Sequence, residues 1–383
     1  MIKITKIILF LTLIFSLSLE RAFTEEKIKI GLLVPLTGKN SEIGQSIIRS
    51  TRLAINQINN LSIEIIPKDS GSSPDITLRS AKELSKQGVK IVIGPVFNEN
   101  LIHLNELSEL TFLSLTNMND NRSKNIINAG INATSQLNAI KKFIKINKIK
   151  KTIFLTPNVN YKNEVKKAIS NSKIKIIENY IYDADPTKLT KQIEKITNYE
   201  NRKQNLEDEI KRLEESDLNN KEQLIEKLSK KDTLGKVDFE AIIISDYDER
   251  LKSVTTSLLY TDVSPNETYF ITLNQWFDKS LLRETSSQPL YFPSANKANY
   301  DNFSNEYFKK YNEYSNPLSF LSFDLVGLVY YLILQNNYIV DEKLFNKKTL
   351  FQGKVGIFEI KDNKINHILN FYKIENKKFK KIF

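Results

Sequence analysis

The side chains that ordinarily carry catalysis are scarce in this chain and stand in no working arrangement. Its 383 residues include two histidines, His103 and His367, and no cysteine. Acid–base or nucleophilic chemistry needs such groups within hydrogen-bond reach of a partner that activates them. His103 falls inside an apolar-periodic segment and His367 inside a strand-like terminal run, so each reads as a structural or surface residue rather than a base. There is no His/Cys cluster at metal-ligand spacing, no nucleophile elbow and no phosphate loop. Gly38 and Gly44 stand too far apart for a dinucleotide fingerprint. The expectation is a binding protein rather than an enzyme, without cofactor or metal.

The elements that would position a binding site begin with residues 27–60. An apolar run over 27–34 reads as a buried strand. Pro35 to Lys39 stops it, and Ser41 is placed to cap a helix with an apolar stripe at Ile47, Ile48, Thr51, Ala54, Ile55 and Ile58. A strand feeding a helix through a short polar loop is the opening half of a βαβ unit. Ligands of open α/β sheets bind beyond the carboxyl ends of such strands. Strands over 62–67, 90–93 and 112–115 follow, with a helix over 75–88 closed by Gly88 and another through Leu101, Leu104, Leu107 and Leu110.

A polar, Asn-rich crossover is expected over 118–132, after which the alternation restarts. Helices over 139–146 and 163–170 accompany strands over 152–156, 173–182, 239–245 and 268–273. Two α/β runs of this kind imply two similar lobes with a cleft between them. Its edges would be the loops 35–44, 94–98, 116–118, 156–161, 246–248 and 274–277. Beyond Trp276 come a strand near 290–292, a helix over 299–314 and an apolar helix over 319–335, expected against the first sheet. That helix starts too polar for a membrane span. A terminal hairpin runs over 353–360 and 365–374 around Asp362-Asn363.

Residues 188–231 interrupt the second run and are too long for an ordinary connection. Ile193, Ile196, Tyr199, Leu206, Ile210 and Leu213 recur at helical spacing, with Glu207–Lys211 and Glu226–Lys230 as favourable pairs. The expectation is a mostly solvated helical hairpin turning near 217–220, either a self-packed insertion or a docking arm for a partner.

Composition sets the class. With 40% hydrophobic and 26% charged residues, the chain is globular and long enough for two domains. A net charge of +11 invites a nucleic-acid reading, but the lysines are dispersed among Asp and Glu with no basic block or stripe, so no nucleic-acid partner is expected. Lys3 and Lys6 before a short apolar run over 7–19 resemble an export signal, removed near residue 24, with an uncleaved anchor as the alternative. The run is shorter than a membrane span of ~20 residues. Without cysteine neither a lipid-modified cysteine nor a disulfide is available. A periplasmic location follows.

GLLVPLTG at 31–38 with Gly44, the Asp69 loop, VIGP at 92–95 and FQGKVGIFEI at 351–360 resemble type I periplasmic binding proteins of the leucine-binding family. The resemblance runs from residue 27 to the terminal hairpin. It implies two Rossmann-like lobes joined by three crossovers and closing on a ligand by hinge motion. The boundaries expected are 1–23 for the signal, 24–128 and 286–345 for the first lobe, and 129–285 and 346–383 for the second, with 188–231 inserted. The insertion, the VPLTG and IGPVF phrases and the SFDLVG helix look closest to the penicillin-binding protein activators. The ligand-binding cleft is expected to be lined by Thr37, Ile43, Phe97, Asn98, Thr116, Asn117, Met118, Tyr161, Asp246, Asn274 and Gln275. Where relatives place ligand-holding hydroxyls, this chain has Asn98 and Met118. Ile43 replaces a covering aromatic, Tyr161 keeps the expected tyrosine, and Gln275 replaces the acid that faces a ligand ammonium. The resemblance thus implies either a regulator partnered with a cell-wall synthase, its cleft vestigial, or the solute receptor of an ABC permease.

Overall fold

In the computed structural model, which describes residues 27–59, 63–118, 123–341 and 343–383, the strand after the undescribed start becomes the second strand of a parallel sheet. That sheet runs β2-β1-β3-β4-β5, formed by β1 (Ile28–Val34), β2 (Ile63–Asp69), β3 (Ile91–Ile93), β4 (Thr111–Ser114) and β5 (Ile126–Asn128). The expected signal over 1–23 lies outside the described residues. Alternation divides β1 between two faces. Ile30, Leu32 and Val34 pack with Ile47, Leu53 and Ala54 of α1 (Ser41–Ile58). Leu33 turns the other way, with Ala81 and Leu84 of α2 (Pro74–Lys86).

The second sheet has the order β15-β14-β10-β9-β8-β6-β7. Its parallel strands are β6 (Thr152–Pro157), β7 (Glu178–Tyr182), β8 (Ala241–Ile244), β9 (Tyr269–Thr272) and β10 (Leu290–Ser294). The antiparallel β14 (Asn370–Glu375) and β15 (Lys378–Lys381) complete it. Phe154, Ala241 and Ile243 meet residues of α3 (Ala133–Ile146) and α4 (Lys162–Ser172) on one face. Leu155, Ile242 and Ile244 meet α5 (Pro186–Ile196) and α8 (Asp248–Tyr260) on the other. A small antiparallel sheet, β11 (Thr349–Gln352), β12 (Ile357–Lys361) and β13 (Lys364–Ile368), stands apart from both.

The two-lobed α/β architecture matches the expectation, and several details depart from it. The leucines at 101, 104, 107 and 110 do not continue an α-helix. They sit on 3₁₀ turns at Asn98–Leu101 and Leu104–Glu106 and in the loop beyond, because a spacing of three stacks side chains along a threefold helix. The crossover assigned to 118–132 contains β5, whose Ile126 and Ile127 complete the first sheet. Ser41 is the first helical residue rather than the cap. The run 365–374 is broken at Leu369, so β13 belongs to the small sheet and β14 to the large one. β10 lies in the second sheet although residue 286 was expected to open first-lobe sequence. The return to the first lobe comes after β10, where α9 (Lys297–Tyr311) and α10 (Pro317–Gln335) lie against α1.

The expected insertion divides into unlike parts. α5 buries Leu189 and Ile193 in the second-lobe core and is the ordinary crossover helix between β7 and β8. α6 (Tyr199–Glu214) and α7 (Lys221–Leu228) project beyond it, and none of α7's residues is buried. Arg202 anchors the root of this arm. Its guanidinium donates to Thr197 O at 3.0 Å, Thr233 Oγ1 at 3.1 Å and Thr261 O.

α10 is long and apolar enough to cross a membrane, yet it packs into the first lobe. Ser46 and Ser319 hydroxyls meet at 2.7 Å, and Ser50 Oγ donates to Ser319 O at 2.5 Å. Near its middle the buried Asp324 accepts from Lys354 N at 2.8 Å and Val355 N at 2.5 Å, which binds the loop before β12 to the helix. Burial pushes this carboxyl up to about 7, against the pull of those two donors.

His367 ties the small sheet to the first crossover. Its Nε2 donates to Ala129 O at 2.9 Å, its backbone N–H donates to Ser135 Oγ at 2.9 Å, and Phe358 lies 4.6 Å from its ring. Burial lowers its pKa from 6.5 to about 4. A folded state that disfavours the charged ring is stabilised above pH 6.5, and this contribution drains away as pH falls through about 4. Between pH 7.5 and 5 the loss amounts to about 2 kcal/mol. His367→Gln keeps an N–H donor without titrating. Its urea-unfolding free energy should therefore fall by about 2 kcal/mol less than wild type over that interval. Equal losses would remove the histidine as the cause.

Candidate functional site

The carboxyl ends of both sheets face one cavity of about 1250 Å³. From the first lobe, β3 delivers Phe97, Asn98 and Glu99, and β4 delivers Thr116, Asn117 and Met118. From the second, β8 leads to Tyr247 and Asp248, and β9 to Asn274, Gln275 and Trp276. Of the residues expected to line a cleft, Phe97, Asn98, Thr116, Asn117, Met118, Asn274 and Gln275 do so. Thr37, Ile43, Tyr161 and Asp246 are not on its wall.

Each of those four has another engagement. Thr37 Oγ1 donates to Asp69 Oδ2 at 2.6 Å, and Leu36 N donates to Asp69 Oδ1 at 2.7 Å. The loop 35–40 is thereby held to the end of β2. Ile43 packs against the main core. Asp246 is fully buried behind the wall and accepts from Tyr161 OH at 3.2 Å, Arg250 Nε at 2.8 Å and Tyr182 OH. Burial, then the charge of Asp246, pushes the Tyr161 and Tyr182 hydroxyls up, so both remain protonated donors. Fully buried and already held by these donors, the Asp246 carboxylate is turned away from the cavity. The knot braces Tyr247, which packs edge-on against Tyr161 with centroids 6.2 Å apart.

The amides on the cleft floor are also committed. Gln275 Nε2 donates to Thr272 Oγ1 at 3.0 Å and to Asp246 O at 3.2 Å. Asn274 Oδ1 accepts from Trp276 N at 3.0 Å and Ser294 Oγ at 2.8 Å. Gln136 Oε1 accepts from Asn274 N at 2.8 Å. These bonds shape the floor and stiffen it.

Those walls are more aromatic than the sequence suggested. Tyr247, Trp276 and Tyr300 line the interior, and Phe308 and Tyr314 pack against each other at the rim, tilted, with centroids 5.0 Å apart. The rim residues come from α9 and the loop before α10, far from any strand end. Their distant positions left no sequence signal beyond an aromatic-rich helix. Among the described residues no group of three His, Cys, Asp or Glu could hold a metal ion.

Two sheet-based lobes, three chain crossings and a shared cavity at the strand ends define a two-lobed α/β fold with a cleft between the lobes. The chain has the fold of the type I periplasmic binding proteins, the fold that leucine-binding proteins share. The sequence model described as "Periplasmic binding protein" matches residues 27–199. No curated protein sequence matches the chain. Solved structures share its fold over nearly its whole length. A putative branched-chain amino acid ABC transporter protein from Rhodospirillum rubrum superposes with a TM-score of 0.69 at 12% identity, covering 93% of this chain and 100% of its own. LivJ from Streptococcus pneumoniae, a branched-chain amino acid transporter substrate binding protein solved with isoleucine, gives 0.56 at 16% identity, covering 92% and 98%. The LpoA C-domain from Haemophilus influenzae, a regulator of PBP1A, gives 0.60 at 13% identity, covering 93% and 100%.

Proposed function

We propose that this chain is a non-catalytic, extracytoplasmic receptor that binds a small molecule between its lobes and presents the closed form to a membrane partner, in the manner of an ABC importer's solute receptor. The cavity itself carries the reading. It is concave, open between two lobes and walled by aromatic side chains, as ligand sites generally are, and its floor is pre-organised by bonds within the protein. Several structures of this fold are solute-binding proteins of ABC transporters, which supports the same reading.

The second reading is the one the sequence resemblance placed first, a penicillin-binding protein activator-like regulator of cell-wall synthesis. One structural feature favours it. The α6–α7 arm is anchored at its root and no residue of α7 is buried, which suits a docking element, and the LpoA C-domain shares the fold. A thermal-shift screen of the mature protein against amino acids, aromatic carboxylates and amines separates the two. A ligand at 100 times its Kd adds about 2.7 kcal/mol to stability, so a true solute should raise Tm by several degrees. A flat screen together with association with a cell-wall synthase would favour the regulator.

A further inference from the structure

The cleft departs in charge from the protein that contains it. The chain carries a net charge of +11. Yet the charged residues that line the cavity are Glu99, Asp248, Asp278 and Asp301, with Lys279 alone on the other side. Two of the acids have protein partners. Asp301 is paired with Lys297 Nζ at 2.6 Å, and Asp278 caps the turn after it by accepting from Ser280 N at 2.8 Å. Glu99 and Asp248 have no ion pair among the described residues, and they stand on opposite lobes, after β3 and after β8.

That placement matters for closure. Swinging the lobes together brings the two carboxylates toward each other while water leaves, so their repulsion grows as the effective dielectric falls. A cation between them reverses the sign. An anion meets the opposite situation. The N-terminus of α8 would ordinarily attract negative charge, but Asp248 and Glu249 already occupy its first turn. The Gln275 amide donor that might have held a carboxylate is spent on Asp246 O and Thr272 Oγ1. The aromatic walls, by contrast, suit a cation, since ring faces attract ammonium groups. The cavity is also larger than most small-molecule sites, which run to roughly 1,000 Å³, and it extends along α9 to Phe308 and Tyr314 at the rim.

Resting on the receptor reading, we infer that the cleft selects an elongated organic cation carrying separated ammonium groups, held between Glu99 and Asp248 and packed against the aromatic walls. The carboxylate-bearing ligands seen with other members of the fold are disfavoured here.

Spermidine, benzoate and L-isoleucine serve as probes of a trication, an anion and a zwitterion on the purified mature protein. Spermidine should raise Tm and bind in calorimetry, with affinity falling as salt is added. The double variant Glu99→Gln/Asp248→Asn replaces exposed side chains with near-isosteres and should keep the wild-type Tm without ligand. It should lose about tenfold or more in spermidine affinity. Equal affinity in wild type and double variant would overturn the inference. Stabilisation by benzoate or isoleucine but not spermidine would also overturn it, while leaving the receptor reading in place. Should none of the three shift Tm, nor a wider panel of amines and carboxylates, the receptor reading falls with it.

Discussion

Deleting residues 188–231 should unfold the second lobe, whereas deleting 205–230 alone should leave it standing. The longer cut removes nearly all of α5, whose Leu189 and Ile193 are 3% and 0% exposed in the core that covers one face of the second sheet. Losing a buried Leu or Ile side chain costs about 2–5 kcal/mol each, and here the backbone beneath them goes as well. The sheet face carrying Ile153, Leu155 and Tyr182 would meet water. A domain with a total stability of roughly 5–15 kcal/mol does not survive that. The shorter cut, joining Gln204 to Lys231 through a few Gly-Ser residues, spares α5 and keeps Arg202 bonded to Thr233 and Thr261. Leu234 N donates to Arg202 O at 2.9 Å, so the two ends of the arm already lie together and the new loop is short. Its cost should be about 1 kcal/mol. Circular dichroism melts of both variants decide the matter. A cooperative melt near wild type from the long deletion would show α5 to be dispensable. Collapse of the short one would place the arm in the core.

Gly44→Ala should be among the most damaging single methyl additions to this protein, and Gly327→Ala among the most benign. A Cβ at Gly44 would lie 1.7 Å from Pro35 O, a backbone atom fixed at the end of β1. Nothing flexible can yield there. α1 must move off the strand, and α1 is the helix that packs with α10 and bonds through Ser46 and Ser50. Overpacking ordinarily costs about 1–3 kcal/mol. A collision between two backbone segments should exceed the upper figure. At Gly327, in the interior of α10, the added methyl would meet only Phe351 Cζ at an ordinary 3.5 Å. Helix propensity then favours Ala by about 1 kcal/mol. Urea denaturation of the two variants should move the midpoint in opposite directions. A Gly44→Ala variant within 1 kcal/mol of wild type would mean that the tight approach of α1 to β1 is not required.

Much of this molecule was decided locally and can be read along the chain. Runs such as Ile30–Val34 and Ala241–Ile244 are apolar on both sides of the strand and so must lie inside a covered parallel sheet. Asp362 and Asn363, both with positive φ, make the two-residue turn between β12 and β13. Strand and helix alternating twice, with an apolar stripe on each helix, already require two sandwiched sheets and a cleft at their carboxyl ends. The loops that supply Phe97, Thr116 and Asn274 follow from that alone.

Tertiary structure decided what local pattern leaves degenerate. Leu189 and Ile193 in α5, four apart, and Leu206 and Leu213 in α6, seven apart, both fit the helical period, yet one pair sits in the lobe's core and the other in a projecting arm. Period tells which residues share a face and says nothing about what covers it. The same holds for the polar residues. Tyr161, Asp246 and Gln275 carry the groups a ligand site needs, but their donors and acceptors found one another and the backbone behind the wall. Hydrogen bonds within a folded interior are set by three-dimensional proximity, and sequence separations as long as the 85 residues between Tyr161 and Asp246 leave that invisible. The aromatic rim on α9 joined the cleft for the same reason: only the return of the chain to the first lobe brought it there.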